Sequence, residues 1–142
     1  MTHTDHATGY EPILSRSPFF ADMGCAMETK LIDRTTRLFR VLPGEGQANA
    51  DGFLHGGYIA SLADFTLSHG SFAENDRPPA ITLSLNVTFC RAARPGDWIA
   101  VRVDTRKASA SILFADATFE VDGKIIAHAS GVFRPVRPPE DR

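Results

Sequence analysis

The chain has 142 residues, 43% of them hydrophobic and 23% charged, with a formal net charge of −2. Such a length suits one domain, large enough to bury roughly 70% of its unfolded surface. The near-neutral balance sets up no basic field of the kind nucleic acid requires, so bulk charge names no partner.

Cys25 and Cys90 are the only cysteines, too few for a disulfide framework or a cysteine-based zinc site. Reduced thiols and no metal are therefore expected. The opening M-T-H-T-D-H-A-T-G-Y is polar and carries no apolar export core, and no run approaches the roughly 20 apolar residues of a membrane span. The expectation is a cytoplasmic protein that contacts neither membrane nor nucleic acid.

Residues 1–16 read as a polar N-terminal tail, residues 17–135 as a single domain and residues 136–142 as a proline-rich tail. His3 and His6 have no third ligand nearby and receive no role. Gly24 to Asp33 and Thr35 to Leu42 alternate apolar and polar side chains around the turn Ile32-Asp33-Arg34, which predicts a hairpin. Pro43-Gly44-Glu45-Gly46 breaks the pattern. A helix then runs from about Gly56 to His69, with Ile59, Leu62, Ala63, Thr66 and Leu67 on one apolar face.

Ala80 to Cys90 shows strict period-2 alternation. Ile81, Leu83, Leu85, Val87 and Phe89 are expected on one face, and Thr82, Ser84, Asn86 and Thr88 on the other. Arg94-Pro95-Gly96-Asp97 reads as a turn, Trp98 to Thr105 and Ser111 to Val121 as strands, and Asp122-Gly123 as a tight hairpin turn. Ile125 to Phe133 would complete a meander of four long strands. One long helix without βαβ alternation predicts an α+β fold in which an antiparallel sheet curls around that helix.

The segment Asn49 to Asp64, N-A-D-G-F-L-H-G-G-Y-I-A-S-L-A-D, concentrates the chemical signals. A helix that opens on two glycines offers unpaired N–H groups at the positive end of its dipole, suited to a developing oxyanion. Asp64 places a charge where packing would not ask for one. Gly57, Ala60, Ser61, Asp64 and Ser68 form a stripe of small residues beside the apolar face, which either lets a thin ligand approach or simply permits close helix packing.

The string N-x-x-G-x-x-H-G-G-x-x-x-x-x-x-D, the order of elements, the R-x-x-R-P-G-D turn and the closing G-K-I-I-A-H-A-S-G-V-F strand resemble the hotdog-fold acyl-CoA thioesterases of the PaaI-like, phenylacetic-acid-degradation branch. The resemblance spans roughly residues 20–134. It implies an oxyanion-polarising N–H at Gly56, a catalytic carboxylate at Asp64 and supporting polar side chains at Asn49, His55 and Thr82. It also implies that Gly56 of one subunit faces Asp64 of another, within a homodimer that pairs into a tetramer. The substrate would be an acyl-CoA, with coenzyme A part of the substrate and no separate cofactor.

Each assignment has a plainer counterpart. Asp64 could be a solvated or structural carboxylate, His55 a local cap, and Asn49 an Asx-turn residue in Asn49-Ala50-Asp51-Gly52. Gly57 and Ser61 would lie along the substrate. Arg91, Arg94 and Arg106 at strand ends could grip phosphates or be merely solvated; Lys107 shares that position. Cys90 reads as a packed residue without a His–Asp relay. Phe19, Phe20, Phe53, Tyr58, Phe65 and Phe72 could line an acyl pocket or fill core and interface.

A thiol leaving group, with a pKa near 8.5, departs without a strong general acid, so one carboxylate and an oxyanion site suffice. The alternative is a protein of the same fold that binds acyl-CoA without turning it over. A hydratase or dehydratase would need a differently spaced His–carboxylate pair. No G-x-S-x-G elbow, zinc helix or phosphate loop is present.

Overall fold

A computed structural model describes residues 9–13, 17–23, 26–70, 80–109 and 111–136. In chain order they form β1 (Glu11–Pro12), α1 (Pro18–Asp22), β2 (Ala26–Leu31), β3 (Thr36–Leu42), α2 (Gly56–Gly70), β4 (Ala80–Phe89), β5 (Ile99–Ala108), β6 (Leu113–Val121) and β7 (Lys124–Pro135). The strands make one sheet in the order β1-β2-β3-β5-β6-β7-β4, with every neighbouring pair antiparallel. The sheet wraps α2, as expected for an α+β hotdog architecture. Cys25, Phe72, His3, His6 and residues 137–142 lie outside the described residues.

One boundary differs from the sequence reading, and one short helix is added to it. Glu11 and Pro12 pair with Thr29 and Glu28, so the sheet begins inside the span assigned to the N-terminal tail. Ser17 then accepts the Phe20 N–H and Pro18 follows at the first helical turn, an N-cap and proline start that favour even a one-turn helix.

The expected four-strand meander is also corrected. Of those four strands only β5, β6 and β7 run as consecutive neighbours, whereas β4 lies beyond β7 at the sheet edge and β5 joins β3. The helix carries the chain across the concave face of the sheet. β4 therefore starts on the far side, and residues 90–98 bring the chain back to the β3 edge.

The core follows from matched periodicities. α2 buries Tyr58, Ile59, Leu62, Ala63, Thr66 and Leu67. Facing them are Phe39 and Val41 of β3, Val101 and Val103 of β5, Ala117 and Phe119 of β6, and Ala129 and Phe133 of β7. Burying each large apolar side chain contributes about 1.5–3 kcal/mol. Thr66 stays in this core because its hydroxyl donates to the Leu62 carbonyl at 2.9 Å.

Turn chemistry fixes the hairpins. Asp122 (φ +50°) and Gly123 (φ +76°) occupy the left-handed region that a two-residue β6–β7 connection requires. At the β2–β3 turn, Asp33 accepts the Thr35 and Thr36 N–H groups and the Thr35 hydroxyl. Those bonds hold its carboxyl below the usual range.

The predicted faces of β4 are corrected too. Leu85, Val87 and Phe89 pair with Gly131, Ala129 and Ala127 on the helix side, but the register shifts between Thr82 and Ser84. Thr82 stands opposite the fully buried Phe133 and Ile81 opposite the exposed Arg134. Leu83 is the extra residue of a β-bulge, which reverses the alternation before it. Thr82 consequently points toward α2, and Ile81 away from it.

Candidate active site

The loop before α2 is built to deliver the helix start. Gln47 accepts the Gly44 N–H through its side chain and the His55 N–H through its carbonyl, both at 2.8 Å. Leu54 donates to the Ala93 carbonyl at 2.8 Å, which ties this loop to the segment after β4. Within the loop, Asn49 Oδ1 accepts the Asp51 and Phe53 N–H groups at 3.0 and 3.1 Å. That is the Asx-turn geometry, and it leaves only the Asn49 amide NH2 to meet a ligand.

At the helix start the two glycines separate in role. His55 Nδ1 accepts the Gly57 N–H at 2.8 Å, so His55 is the cap and its ring carries the proton on Nε2. Of the two amides expected to be unpaired, Gly57 is therefore satisfied. For the exposed Gly56, no acceptor of its N–H is found among the described residues. This amide points from the positive end of a 15-residue helix, where a developing negative charge is stabilised.

Asp64 lies two turns further along the stripe of small residues, half-buried. The Thr82 hydroxyl donates to its Oδ1 at 2.6 Å, a short charge-assisted bond. No other donor to this carboxylate is found among the described residues, so Oδ2 remains available. The bulge at Leu83 makes this contact possible, because it turns Thr82 to the helix side.

Three cavities flank this part of α2. One of about 430 Å³ has Asp64 in its wall together with Ser61, Ala60, Phe19, Phe20 and Leu85. One of about 310 Å³ is lined by His55, Gly57, Ser61 and Gln47. The third, about 410 Å³, brings Asn49 and Gly56 together with Phe89, Cys90 and Arg91. Gly56 and Asp64 thus open into different cavities of the same chain. Eight residues of helix, at about 1.5 Å each, also set them roughly 12 Å apart along the axis.

The remaining expected residues divide. Ser61 spends its hydroxyl on the Gly57 carbonyl at 2.8 Å and faces the two cavities on its side of the helix. Arg91 lines the Gly56 cavity. Arg94 sits beside it, its guanidinium 4.8 Å from the Phe53 ring centroid.

Arg106 is not brought to the site. It pairs with Asp116 at 2.7 Å, and that bond holds the guanidinium pKa above its ordinary value. Of the aromatic residues, Phe19, Phe20 and Phe65 line the Asp64 cavity and Phe53 the Gly56 cavity, while Tyr58 is buried. The plainer reading of His55 as a local cap is the one the geometry supports. One feature escaped the sequence, the bulge that aims Thr82, because nothing in the alternation of β4 marks it.

A family model for the thioesterase superfamily matches residues 51–125, which include the helix start, Asp64 and β4. The chain belongs to the thioesterase superfamily. An esterase-named protein of Pseudomonas aeruginosa is 30% identical over 129 residues, covering 88% of this chain and 93% of that protein. Human acyl-coenzyme A thioesterase 13 is 29% identical over 85 residues, 58% of this chain and 61% of that protein. Among solved structures, zebrafish thioesterase superfamily member 2 superposes with a TM-score of 0.74 at 22% identity, covering 85% of this chain and 89% of that one. That likeness establishes the hotdog fold of this superfamily member.

Proposed function

We propose that this thioesterase-superfamily chain hydrolyses an acyl or aryl-acyl coenzyme A thioester to the free acid and coenzyme A. The carrying observation is a Thr82-tethered Asp64 carboxylate in the wall of a mostly apolar cavity, its other oxygen without a donor among the described residues, in a helix whose first amide has no acceptor among those residues. The match to human acyl-coenzyme A thioesterase 13 supports acyl-CoA as the substrate class.

In this reading the Gly56 N–H, helped by the Asn49 amide, accepts the charge that builds on the thioester oxygen. Asp64 Oδ2 takes a proton from the attacking water, or adds to the carbonyl carbon itself. On the water route the hydroxyl adds to the carbonyl carbon, the C–S bond breaks, coenzyme A leaves as a thiolate and the acyl group keeps the hydroxyl. On the direct route loss of the thiolate leaves an acyl–Asp64 anhydride, which a water hydrolyses to the free acid and the Asp64 carboxylate. The two reacting groups must approach one carbonyl within about 3–3.5 Å, which a separation near 12 Å along one helix prevents. Asp64 of one protomer and Gly56 of its partner therefore form each site, in a homodimer that pairs further into a tetramer. Exposed Ile81, Leu83 and Phe89 on the edge strand β4 supply apolar surface for such pairing. Arg91 and Arg94 would face the coenzyme A phosphates.

The Asn49 to Asp64 motif supports a reading of the chain as PaaI-like, and a cytoplasmic location, where acyl-CoA is available, belongs to the same proposal. Incubating the protein with a panel of acyl-CoAs and a thiol-reactive dye tests the proposal. Release of thiol from at least one member is expected. Tight binding across the panel without thiol release would instead establish a non-catalytic acyl-CoA binder.

A further inference from the structure

The alternation of β4 and its observed register disagree. From Ala80 to Phe89 the apolar residues occupy every odd position, and a regular strand would turn Leu83 inward opposite Phe133 and Thr82 outward. Instead Thr82 faces Phe133, Leu83 is extruded and 48% exposed, and Ile81 is 53% exposed. Within one protomer the strand thus forgoes burying two large aliphatic side chains. Among the described residues, the gain visible on the other side is the Thr82 hydroxyl on Asp64 Oδ1 at 2.6 Å.

We infer that Leu83 is the register-setting residue of the site: its bulge turns Thr82 onto Asp64, and the hydroxyl–carboxylate bond in turn holds the bulge against the strand's own alternation. This rests on the role proposed above for Asp64. Bulges commonly re-aim a side chain beside an active site, and within its own chain β4 has one neighbour rather than two to oppose a shift. With Oδ1 held, the carboxylate cannot rotate freely, and Oδ2 is the oxygen presented to the cavity. In the alternative register Leu83 would lie against the carboxylate, which would lose its only side-chain donor found among the described residues. Thr82 and Leu83 are positioning residues in this scheme, acting through Asp64.

The test compares Thr82→Ser, Thr82→Val and the exchange Thr82→Leu/Leu83→Thr, each with a crystal structure and steady-state thiol-release kinetics. Thr82→Ser should keep the bulge and remain within a few-fold of the parent. Thr82→Val should lose the bulge, place Leu83 opposite Phe133, and lower kcat by about 10- to 100-fold, the loss of a hydrogen bond to a charged group, with KM little changed. The exchange variant should also straighten, but with the hydroxyl at position 83 now opposite Phe133 and on Asp64. Its kcat should therefore stay well above that of Thr82→Val.

A Thr82→Val structure that retains the bulge would overturn the inference. So would an exchange variant whose hydroxyl points away from Asp64. The register is read crystallographically without turnover, so a parent that hydrolysed no acyl-CoA would defeat the functional proposal while this test still gave its answer.

Discussion

Replacing Gly56 separates its backbone amide from its lack of a side chain. A Cβ at this position would meet Phe89 Cζ at 3.6 Å and Cε1 at 3.7 Å, ordinary van der Waals contacts, so Gly56→Ala keeps the N–H without forcing a neighbour aside. Gly56→Pro removes the N–H. Proline is well accepted at the first position of a helix, where the amide has no intrahelical partner, and Gly56 is that position in α2. Loss of one oxyanion donor lowers kcat by about 10²–10³-fold, or roughly 2.7–4 kcal/mol of transition-state stabilisation. Gly56→Ala should therefore retain kcat within a few-fold and Gly56→Pro should lose it by that factor. Thiol release measures both, and circular dichroism confirms that α2 persists. A folded Gly56→Pro enzyme with parental kcat would refute the oxyanion role of this amide.

Asp64→Asn keeps an acceptor for the Thr82 hydroxyl while removing the charge, so melting temperature and oligomeric state should hold while kcat falls about 10²–10⁴-fold. Gly131→Ala should act on stability, because its Cβ would fall 2.6 Å from Phe133 Cε2 and 3.2 Å from Leu67 Cδ1, both side chains being fully buried. Overpacking of this kind costs about 1–3 kcal/mol, measurable as a denaturant midpoint shift at unchanged slope.

Asp104 governs part of the acid response. Burial raises its carboxyl pKa, but hydrogen bonds from Arg102 and Thr36 outweigh that and hold it below the usual range. A folded-state pKa below the unfolded value, near 3.9, stabilises at higher pH and loses that contribution as pH falls through the folded value. Asp104→Asn should accordingly flatten the acid limb of unfolding free energy against pH below about pH 4–5; a limb as steep as the parent's would assign the acid response to other carboxylates.

How legible the sequence was depended on whether a feature is set locally. α2 was readable because its apolar positions repeat over four turns, and the β6–β7 turn because Asp122-Gly123 suits left-handed backbone. The Asn49 Asx turn and the His55 cap are equally short-range. What failed was long-range. The placement of β4 beside β7 depends on how the helix carries the chain across the sheet, which period-2 alternation does not encode. The direction of Thr82 depends on a carboxylate 18 residues away that competes with the strand's own pattern. Arg106 looked like the other strand-end arginines until the fold set Asp116 opposite it. Residues 11–12 and α1 are too short to register as periodicity, although Ser17-Pro18 carried the start signal.

Sharing of the site between protomers is best measured by mixing two inactive proteins. Asp64→Ala and Gly56→Pro homodimers should each be nearly inactive. Unfolding and refolding them together in equal amounts makes half the dimers mixed, and in each mixed dimer one site carries both lesions and the other neither. With two sites per dimer, activity should return to about a quarter of the parental value. Activity no higher than the mean of the two parent mutants, in a sample shown by mass spectrometry to contain mixed dimers, would contradict a site shared between protomers.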